Sequence, residues 1–216
     1  MQNSCILCDF DGTITEKDGL YSFFSQYASK NWIEVERLWE EGKINSKECL
    51  KREFEFIADL NEELIVNYLY TIKIDKYFKD FYFFVNNKNI DFYIVSDGID
   101  YFIEKILKIN KINNIKIISN HFEFINGDFK ITFPNDSKTC INNSGTCKCT
   151  VLYEMKKKYK SIIYIGDGIS DYCVCKKADK LYAKNVLSDY CSKNNIKHTK
   201  FKNFKDIIQD FKTISI

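Results

Sequence analysis

Residues 4–13 read SCILCDFDGT, a short apolar run that ends in two aspartates, a glycine and a threonine. The apolar run predicts a buried β-strand, and the Asp11-Gly12 pair predicts the turn that follows it. The order of the elements after this strand then decides the class of fold.

The segment after the first strand has a helical pattern. Between about residues 18 and 70, apolar residues recur at helical spacing, as in Leu20, Phe23 and Phe24. No convincing strand pattern interrupts this segment. We therefore predict a small helical cap at 16–70, inserted into a core made of 1–15 and 71–216.

Strands and helices alternate through the rest of the chain. A strong hairpin signal, Asn126-Gly127, joins predicted strands at 121–124 and 129–133. The remaining predicted strands are 92–96, 115–119, 162–165 and 181–183, and the predicted helices are 75–87, 98–110, 149–159, 169–178 and one from residue 203. This alternation predicts an α/β fold with a doubly wound parallel sheet, carrying the helical cap and a β-hairpin.

Composition excludes several classes of function. The chain has 216 residues, of which 45% are hydrophobic, so a packed core is expected. Its 32 basic and 30 acidic residues argue against a dedicated nucleic-acid surface. No apolar stretch approaches the roughly 20 residues that span a bilayer, and no secretory signal is visible. We expect a cytoplasmic protein with no membrane partner, either a monomer or a homodimer.

The cysteines fit this expectation. Most of the nine cysteines are expected to be free thiols, because the expected compartment is reducing. A zinc site at Cys140, Cys147 and Cys149 is a weaker alternative, because their spacing is not a usual zinc pattern and a fourth ligand is not evident.

Polar residues follow several of the predicted strands. In open parallel sheets, ligands bind outside the carboxyl ends of the strands. The residues predicted to meet at this edge are Asp9, Asp11, Ser96, Asp97, Gly98, Asp167, Ser170 and Asp171, with Lys148 just before a helix. Five acids, two hydroxyls and a lysine are thus predicted to converge on one edge of the sheet.

These residue types suit phosphoryl transfer. A carboxylate such as Asp9 can attack phosphorus and form an aspartyl-phosphate. Asp11, two residues on, points the same way in an extended segment and can protonate the leaving group. Clustered acids need a hard cation, and Mg²⁺ would be held by Asp9 and Asp167. Lys148 and Ser96, with the backbone amides after it, can bind the phosphoryl oxygens.

The sequence resembles the haloacid dehalogenase (HAD) superfamily. The four motifs of this superfamily match, in order, Asp9-Phe10-Asp11-Gly12-Thr13, Ser96, Lys148 and Gly166-Asp167-Gly168-Ile169-Ser170-Asp171 of this sequence. The resemblance implies Asp9 as nucleophile, Asp11 as acid and base, and Asp171 as support. It also implies a Mg²⁺ ion held by Asp9, the Asp11 carbonyl group and Asp167.

Within the superfamily, the cap resembles that of the phosphoserine phosphatase branch. The closest likeness is to the methionine-salvage phosphatases, which hydrolyse 2-hydroxy-3-keto-5-methylthiopentenyl-1-phosphate. The resemblance thus implies a phosphatase of a small phosphorylated metabolite. Asp97 stands where phosphoserine phosphatases usually carry glycine, and its amide can still bind phosphate together with Gly98.

The side chains of the cap are expected to decide the substrate. Glu16 and Arg52 are the candidate substrate-binding residues of the cap, and Arg52 matches the salvage phosphatases better than the phosphoserine enzymes. Phosphoserine phosphatase and a phosphocholine- or phosphoethanolamine-type phosphatase remain alternatives. So do a phosphotransferase with the same residues and a non-catalytic phosphate-binding regulatory protein.

Overall fold

A computed structural model describes residues 3–140 and 143–213. One sheet contains seven strands in the order β4-β3-β2-β1-β5-β6-β7, and every neighbouring pair is parallel except β3 and β4. The strands are β1 Ser4–Cys8, β2 Asp91–Ile99, β3 Lys116–Ile125, β4 Asp128–Thr132, β5 Ser161–Gly166, β6 Lys180–Ala183 and β7 Thr199–Lys200. The α/β class and the mostly parallel sheet are therefore confirmed.

Helices link these strands and follow the last of them. They are α1 Gly19–Tyr27, α2 Trp32–Glu40, α3 Ser46–Glu55, α4 Glu62–Leu69, α5 Phe78–Asn86, α6 Asp100–Ile109, α7 Lys148–Lys156, α8 Asn185–Lys193 and α9 Phe204–Thr213. Within the described ranges, none of the helices is both long enough and apolar enough to cross a bilayer.

The first strand lies at the centre of the sheet. All five residues of β1 are buried, and alternate residues belong to different apolar clusters. Ile6 and Cys8 belong to one cluster, and Cys5 and Leu7 belong to the other. Since both faces of the strand are covered, an uninterrupted apolar run is the pattern that a central parallel strand requires.

The register of β1 positions the residue that follows it. Cys8 lies opposite Ile94 of β2 on one side and Ile165 of β5 on the other. The amide of Asp9 continues this ladder, because it donates a hydrogen bond to the Ile165 carbonyl group at 2.9 Å. The ends of three neighbouring strands therefore meet at Asp9.

The β-hairpin has the predicted turn, but its first arm is longer than predicted. The predicted strands at 115–119 and 121–124 are one strand, β3, which pairs in parallel with β2 and then antiparallel with β4. Asn126 and Gly127 adopt φ values of +53° and +87°, as a tight two-residue hairpin turn requires.

One predicted helix is wrong. The segment 169–178 contains only a short 3₁₀ turn, Ile169–Asp171, followed by further turns. The side chain of Asp171 accepts hydrogen bonds from the amides of Asp167 and Gly168, which holds the chain in a tight turn toward the sheet edge. Helix α8 and the short strand β7 were not predicted.

The four helices α1–α4 lie between two chain segments, 14–16 and 73–75, that are hydrogen-bonded to each other. The Glu16 amide donates to the Lys73 carbonyl group at 2.9 Å, and the Asp75 amide donates to the Ile14 carbonyl group at 2.8 Å. This segment packs on the rest of the protein through aromatic side chains: Phe54, for example, lies with its ring centroid 5.3 Å from that of Phe122. The predicted limits of the cap, 16–70, stay a prediction.

Candidate active site

A buried lysine connects the two motifs at the ends of β1 and β5. Lys148, the first residue of α7, is 2% exposed. Its ammonium group lies 2.6 Å from a carboxylate oxygen of Asp9 and 2.6 Å from one of Asp171, and it donates to the Ser170 hydroxyl at 2.8 Å. Burial lowers the pKa of Lys148, but Asp171 and Asp9 together outweigh this effect and raise it. The lysine therefore stays charged.

The Asp171 carboxylate accepts several hydrogen bonds. Besides Lys148, its carboxylate accepts from the Tyr164 hydroxyl at 2.5 Å and from the amides of Asp167 and Gly168 at 2.9 and 3.1 Å. It is fully buried. A carboxylate satisfied in this way can orient its neighbours but has little capacity left for a ligand.

Three carboxylates form a group that could hold a metal ion. Ligand oxygens of Asp9, Asp167 and Asp171 all lie within 4.8 Å of one another. The Thr13 hydroxyl and the Asn185 amide hold the Asp167 carboxylate at 2.8 and 3.1 Å. These hard oxygen donors fit Mg²⁺ better than a softer metal. Burial raises the pKa of Asp167, and the nearby Asp171 raises it further.

Gly12 makes this arrangement possible. Its φ is +72°, and a Cβ atom at this position would lie 2.6 Å from a carboxylate oxygen of Asp167. Only glycine adopts this conformation without strain and also leaves room for the carboxylate.

Asp11 lies in the same pocket but in a different environment. Its carboxylate accepts a hydrogen bond from the Gly19 amide, at the start of α1, at 2.9 Å. Burial is the main cause that raises its pKa to about 8, and the charge of Asp18 adds to the effect. At neutral pH this carboxyl group therefore retains a proton, as a general acid must.

Two residues near the end of β2 have different hydrogen-bond partners. The Ser96 hydroxyl accepts a hydrogen bond from the Gly98 amide at 3.0 Å and is 1% exposed. The Asp97 carboxylate accepts from the Thr146 amide at 2.8 Å and from the Asn120 side chain at 3.3 Å. It thus anchors the loop that precedes Lys148, which explains why an acid is accommodated at this position.

A cavity of about 420 Å³ opens at this edge of the sheet. It is lined by Asp9, Asp11, Gly12, Glu16, Lys17, Asp18, Leu20, Tyr21, Phe24, Glu36, Trp39, Ser46, Cys49, Leu50, Glu53, Ser96, Asp97, Gly98, Asp167, Gly168, Ile169, Ser170, Asn185 and Val186. The wall therefore combines most of the predicted site residues of the core with residues of α1, α2 and α3, whereas Lys148 and Asp171 are buried behind it and are not lining residues.

The two predicted cap residues differ in placement. Glu16 lies in the cavity wall, whereas Arg52 is not among the lining residues. The guanidinium group of Arg52 instead pairs with Glu48 at 3.3 Å, one helical turn away, and its side chain is 39% exposed. In this structure Arg52 therefore lies outside the cavity lining, and its role in substrate binding stays a prediction.

The three cysteines considered for zinc do not form a ligand group. Among residues 3–140 and 143–213, the clusters suited to a metal contain none of Cys140, Cys147 and Cys149. The Cys149 thiol instead contacts the Cys173 carbonyl group at 2.9 Å and the Lys177 ammonium group at 3.1 Å.

A second acidic group was not predicted from the sequence. Glu36 of α2 and Cys49 and Glu53 of α3 line the cavity, and their ligand atoms lie within 4.8 Å of one another. We call these three residues the cap acid cluster. Glu53 follows Cys49 by four residues and lies beside the buried Phe54, so a charged residue on the buried face of an amphipathic helix was the available signal.

The protonation of Glu53 should affect stability. Burial and the hydrogen-bonded Glu36 raise the pKa of Glu53 from 4.5 to about 9. Between these values the folded protein holds a proton that the unfolded chain has lost, so stability falls as the pH rises through this window. Glutamine does not titrate, so Glu53→Gln should raise Tm by roughly 3 °C or more at about pH 8 and by less at about pH 5.

Thermal unfolding of both proteins at the two pH values measures this effect. The matched control is Glu55→Gln, an exposed position on the same helix, which should leave Tm nearly unchanged at either pH. An equal Tm difference for Glu53→Gln at both pH values would contradict the assignment of a raised pKa.

Comparison with known sequences identifies the family. The Putative Phosphatase family matches residues 4–212 of the chain. The chain is 32% identical over 209 residues to the 2-hydroxy-3-keto-5-methylthiopentenyl-1-phosphate phosphatase of Bacillus cereus strain AH187, covering 96% of this chain and 95% of that protein. The enzyme of the same name from Bacillus thuringiensis strain Al Hakam matches with the same identity and coverage.

Solved structures with this fold include phosphoserine phosphatases. A substrate-bound phosphoserine phosphatase complex superposes with a TM-score of 0.70 at 17% identity, covering 97% of this chain and 98% of that one. A phosphoserine phosphohydrolase-like protein from Francisella tularensis gives a TM-score of 0.70 at 20% identity, covering 95% and 98%. The chain thus belongs to the Putative Phosphatase family and is a phosphoric monoester hydrolase with the HAD-like fold.

Proposed function

We propose that this protein is a magnesium-dependent phosphomonoesterase of a small phosphorylated metabolite, which forms an aspartyl-phosphate on Asp9. The observation that carries the proposal is the buried ammonium group of Lys148, fixed 2.6 Å from Asp9, which lines the cavity. Burial raises the pKa of Asp9 well above its usual value, and the positive charge of Lys148 opposes that increase.

The first chemical step would use both aspartates of the first motif. A carboxylate oxygen of Asp9 attacks phosphorus, the bond from phosphorus to the leaving oxygen breaks, and Asp11 gives its proton to that oxygen. The raised pKa of Asp11, about 8, supports this role, because the acid is still protonated at neutral pH.

The second step would regenerate the enzyme. Asp11, now ionised, takes a proton from a water molecule whose oxygen attacks phosphorus, and the bond between phosphorus and Asp9 breaks. Inorganic phosphate leaves, and both aspartates return to their starting states. Lys148 and the backbone amides after Ser96 would bind the phosphoryl oxygens throughout.

The donor set supports a magnesium ion at this site. Asp9, Asp167 and the backbone carbonyl group of Asp11 would hold it, and Asp171 would orient them through the Asp167 amide and Lys148. Bound Mg²⁺ supplies positive charge that offsets the repulsion between these carboxylates and the phosphate.

For the substrate, we propose 2-hydroxy-3-keto-5-methylthiopentenyl-1-phosphate or a closely related ester. This rests on the 32% identity to enzymes of that name over nearly the whole of both chains. Phosphoserine is disfavoured, because Arg52 is not among the residues that line the cavity, while Asp18, Glu36 and Glu53 line it and offer no positive charge to a carboxylate.

Metal removal tests the proposed chemistry. Dialysis against a chelator should reduce release of phosphate from p-nitrophenyl phosphate to background, and added Mg²⁺ should restore it. Ca²⁺ should not restore it, because its larger and more flexible coordination shell suits the same oxygens less well. Full activity after chelation would contradict the magnesium assignment.

A panel with the methylthio ester, phosphoserine and phosphocholine would then test the substrate.

A further inference from the structure

The cap acid cluster has a property that the proposed chemistry does not use. Glu53 is 5% exposed, and its Oε1 atom has no hydrogen-bond partner among the described residues. An unpaired buried acceptor destabilises a protein unless a ligand supplies the missing donor. Because Glu53 lines the cavity, a bound substrate could supply it.

The neighbours of Glu53 leave this oxygen available. Its other carboxyl oxygen is used by Glu36, since the two carboxyl groups hydrogen-bond each other, and the Cys49 thiol lies 3.7 Å from Glu36. The charged groups that most affect Glu53 are Glu36 and Asp18, both acidic. A hydrogen-bond donor can pair with this oxygen, whereas a carboxylate would only face it with a second acceptor.

The cluster shares its cavity with the proposed catalytic residues. Asp9 and Asp11 belong to the segment after β1, whereas Glu36, Cys49 and Glu53 belong to α2 and α3, and all five line one cavity of about 420 Å³. A phosphate group bound at Asp9 would place the remainder of a small ester within this cavity. The leaving group is therefore the part of the substrate that can reach Glu53.

We propose that Glu53, held by Glu36 and Cys49, is a specificity-determining residue that accepts a hydrogen bond from a donor on the leaving group and excludes a carboxylate there. The donor is a hydroxyl or an ammonium group, two sources of the same chemistry. This inference rests on the proposed phosphatase function, because it concerns the leaving group of the ester attacked by Asp9.

Four phosphate esters separate the possibilities. Phosphoethanolamine carries an ammonium group, glycerol 1-phosphate carries hydroxyls, 3-phosphoglycerate carries a carboxylate, and p-nitrophenyl phosphate carries none of these. For each enzyme, kcat/KM for each ester is divided by that for p-nitrophenyl phosphate. In the wild type, the better donor ester should exceed 3-phosphoglycerate by about tenfold, the upper end of the range expected for one hydrogen bond.

The variant Glu53→Met keeps the length of the side chain but removes the acceptor. It should reduce the preference for the donor esters over 3-phosphoglycerate by about tenfold. The donor ester whose relative kcat/KM falls more identifies the source, hydroxyl or ammonium. Glu53→Gln, which keeps one acceptor oxygen and the volume, should lie between the two and serves if Glu53→Met folds poorly. Glu55→Gln should retain the wild-type preference.

The outcomes are distinct. If the wild type hydrolyses p-nitrophenyl phosphate but both Glu53 variants keep its preferences, the subsite is wrong and the phosphatase proposal stands. If the wild type hydrolyses none of the esters, both proposals fail. A second equivalent of tightly bound metal that is lost in Cys49→Ser would assign the cluster to a metal ion and would also overturn the subsite.

Discussion

Replacing Asp9 with asparagine is expected to lower kcat for p-nitrophenyl phosphate by at least about 10⁴-fold, the scale seen when an enzyme loses its nucleophile. An amide oxygen is a far weaker nucleophile than a carboxylate, and the variant also loses the ion pair that holds Lys148. Because asparagine has nearly the shape of aspartate, the fold should persist. Activity and circular dichroism measured on the same sample separate the two effects.

Two further measurements sharpen this test. Acid-quenched wild-type enzyme should carry covalent phosphate that hydroxylamine removes, as an acyl phosphate does, and Asp9→Asn should carry none. The matched control is Asp80→Asn, an exposed aspartate of α5, which should retain wild-type activity. Residual activity above about a hundredth of the wild-type value would exclude Asp9 as the nucleophile.

Replacing Lys148 with methionine is expected to abolish activity and to destabilise the protein by about 3–5 kcal/mol, the cost of breaking a buried ion pair. The substitution leaves the carboxylates of Asp9 and Asp171 buried together without the cation that compensates them. For a chain of this length the loss corresponds to a Tm lower by about 10 °C.

The pH dependence of this loss identifies its cause. Without Lys148, burial and Asp171 would raise the pKa of Asp9 unopposed, so the variant should be more stable at acidic pH, where the carboxylate can take up a proton. The Tm deficit should therefore be smaller at about pH 5 than at about pH 8. Lys156→Met, on the same helix but at an exposed ion pair with Asp179, should change Tm only slightly. A deficit that did not change with pH would indicate lost packing of the lysine side chain instead.

The core of the site could be predicted from sequence because strand order determines it. Asp9, Ser96 and Asp167 each lie at the end of a predicted strand, and the carboxyl ends of parallel strands meet at one edge, so these residues were expected to converge. The structure brings them to one cavity. Their chemical roles rest on the experiments proposed above.

Other features depend on contacts between distant segments. The segment after β5 has a helical pattern, yet the carboxylate of Asp171 is drawn to Lys148, 23 residues away in sequence, and the chain forms turns instead. Arg52 and Glu53 are neighbours, and only the orientation of α3 shows that Glu53 faces the cavity while Arg52 does not. The angle at which a helix packs is not encoded in its own periodicity.

The Asp9 amide belongs to the hydrogen-bond ladder at the centre of the sheet, through its bond to Ile165. Local opening of a protein is least frequent where strands are paired on both sides, and such amides exchange with solvent only when the whole domain unfolds. The proposed nucleophile, Asp9, is therefore not displaced by fluctuation of a single element, and its chemistry should survive until the domain melts. The cap acid cluster lies on two helices outside the sheet. Heat, denaturant or mutation could thus reduce the selectivity between substrates while leaving the hydrolysis of phosphate esters intact.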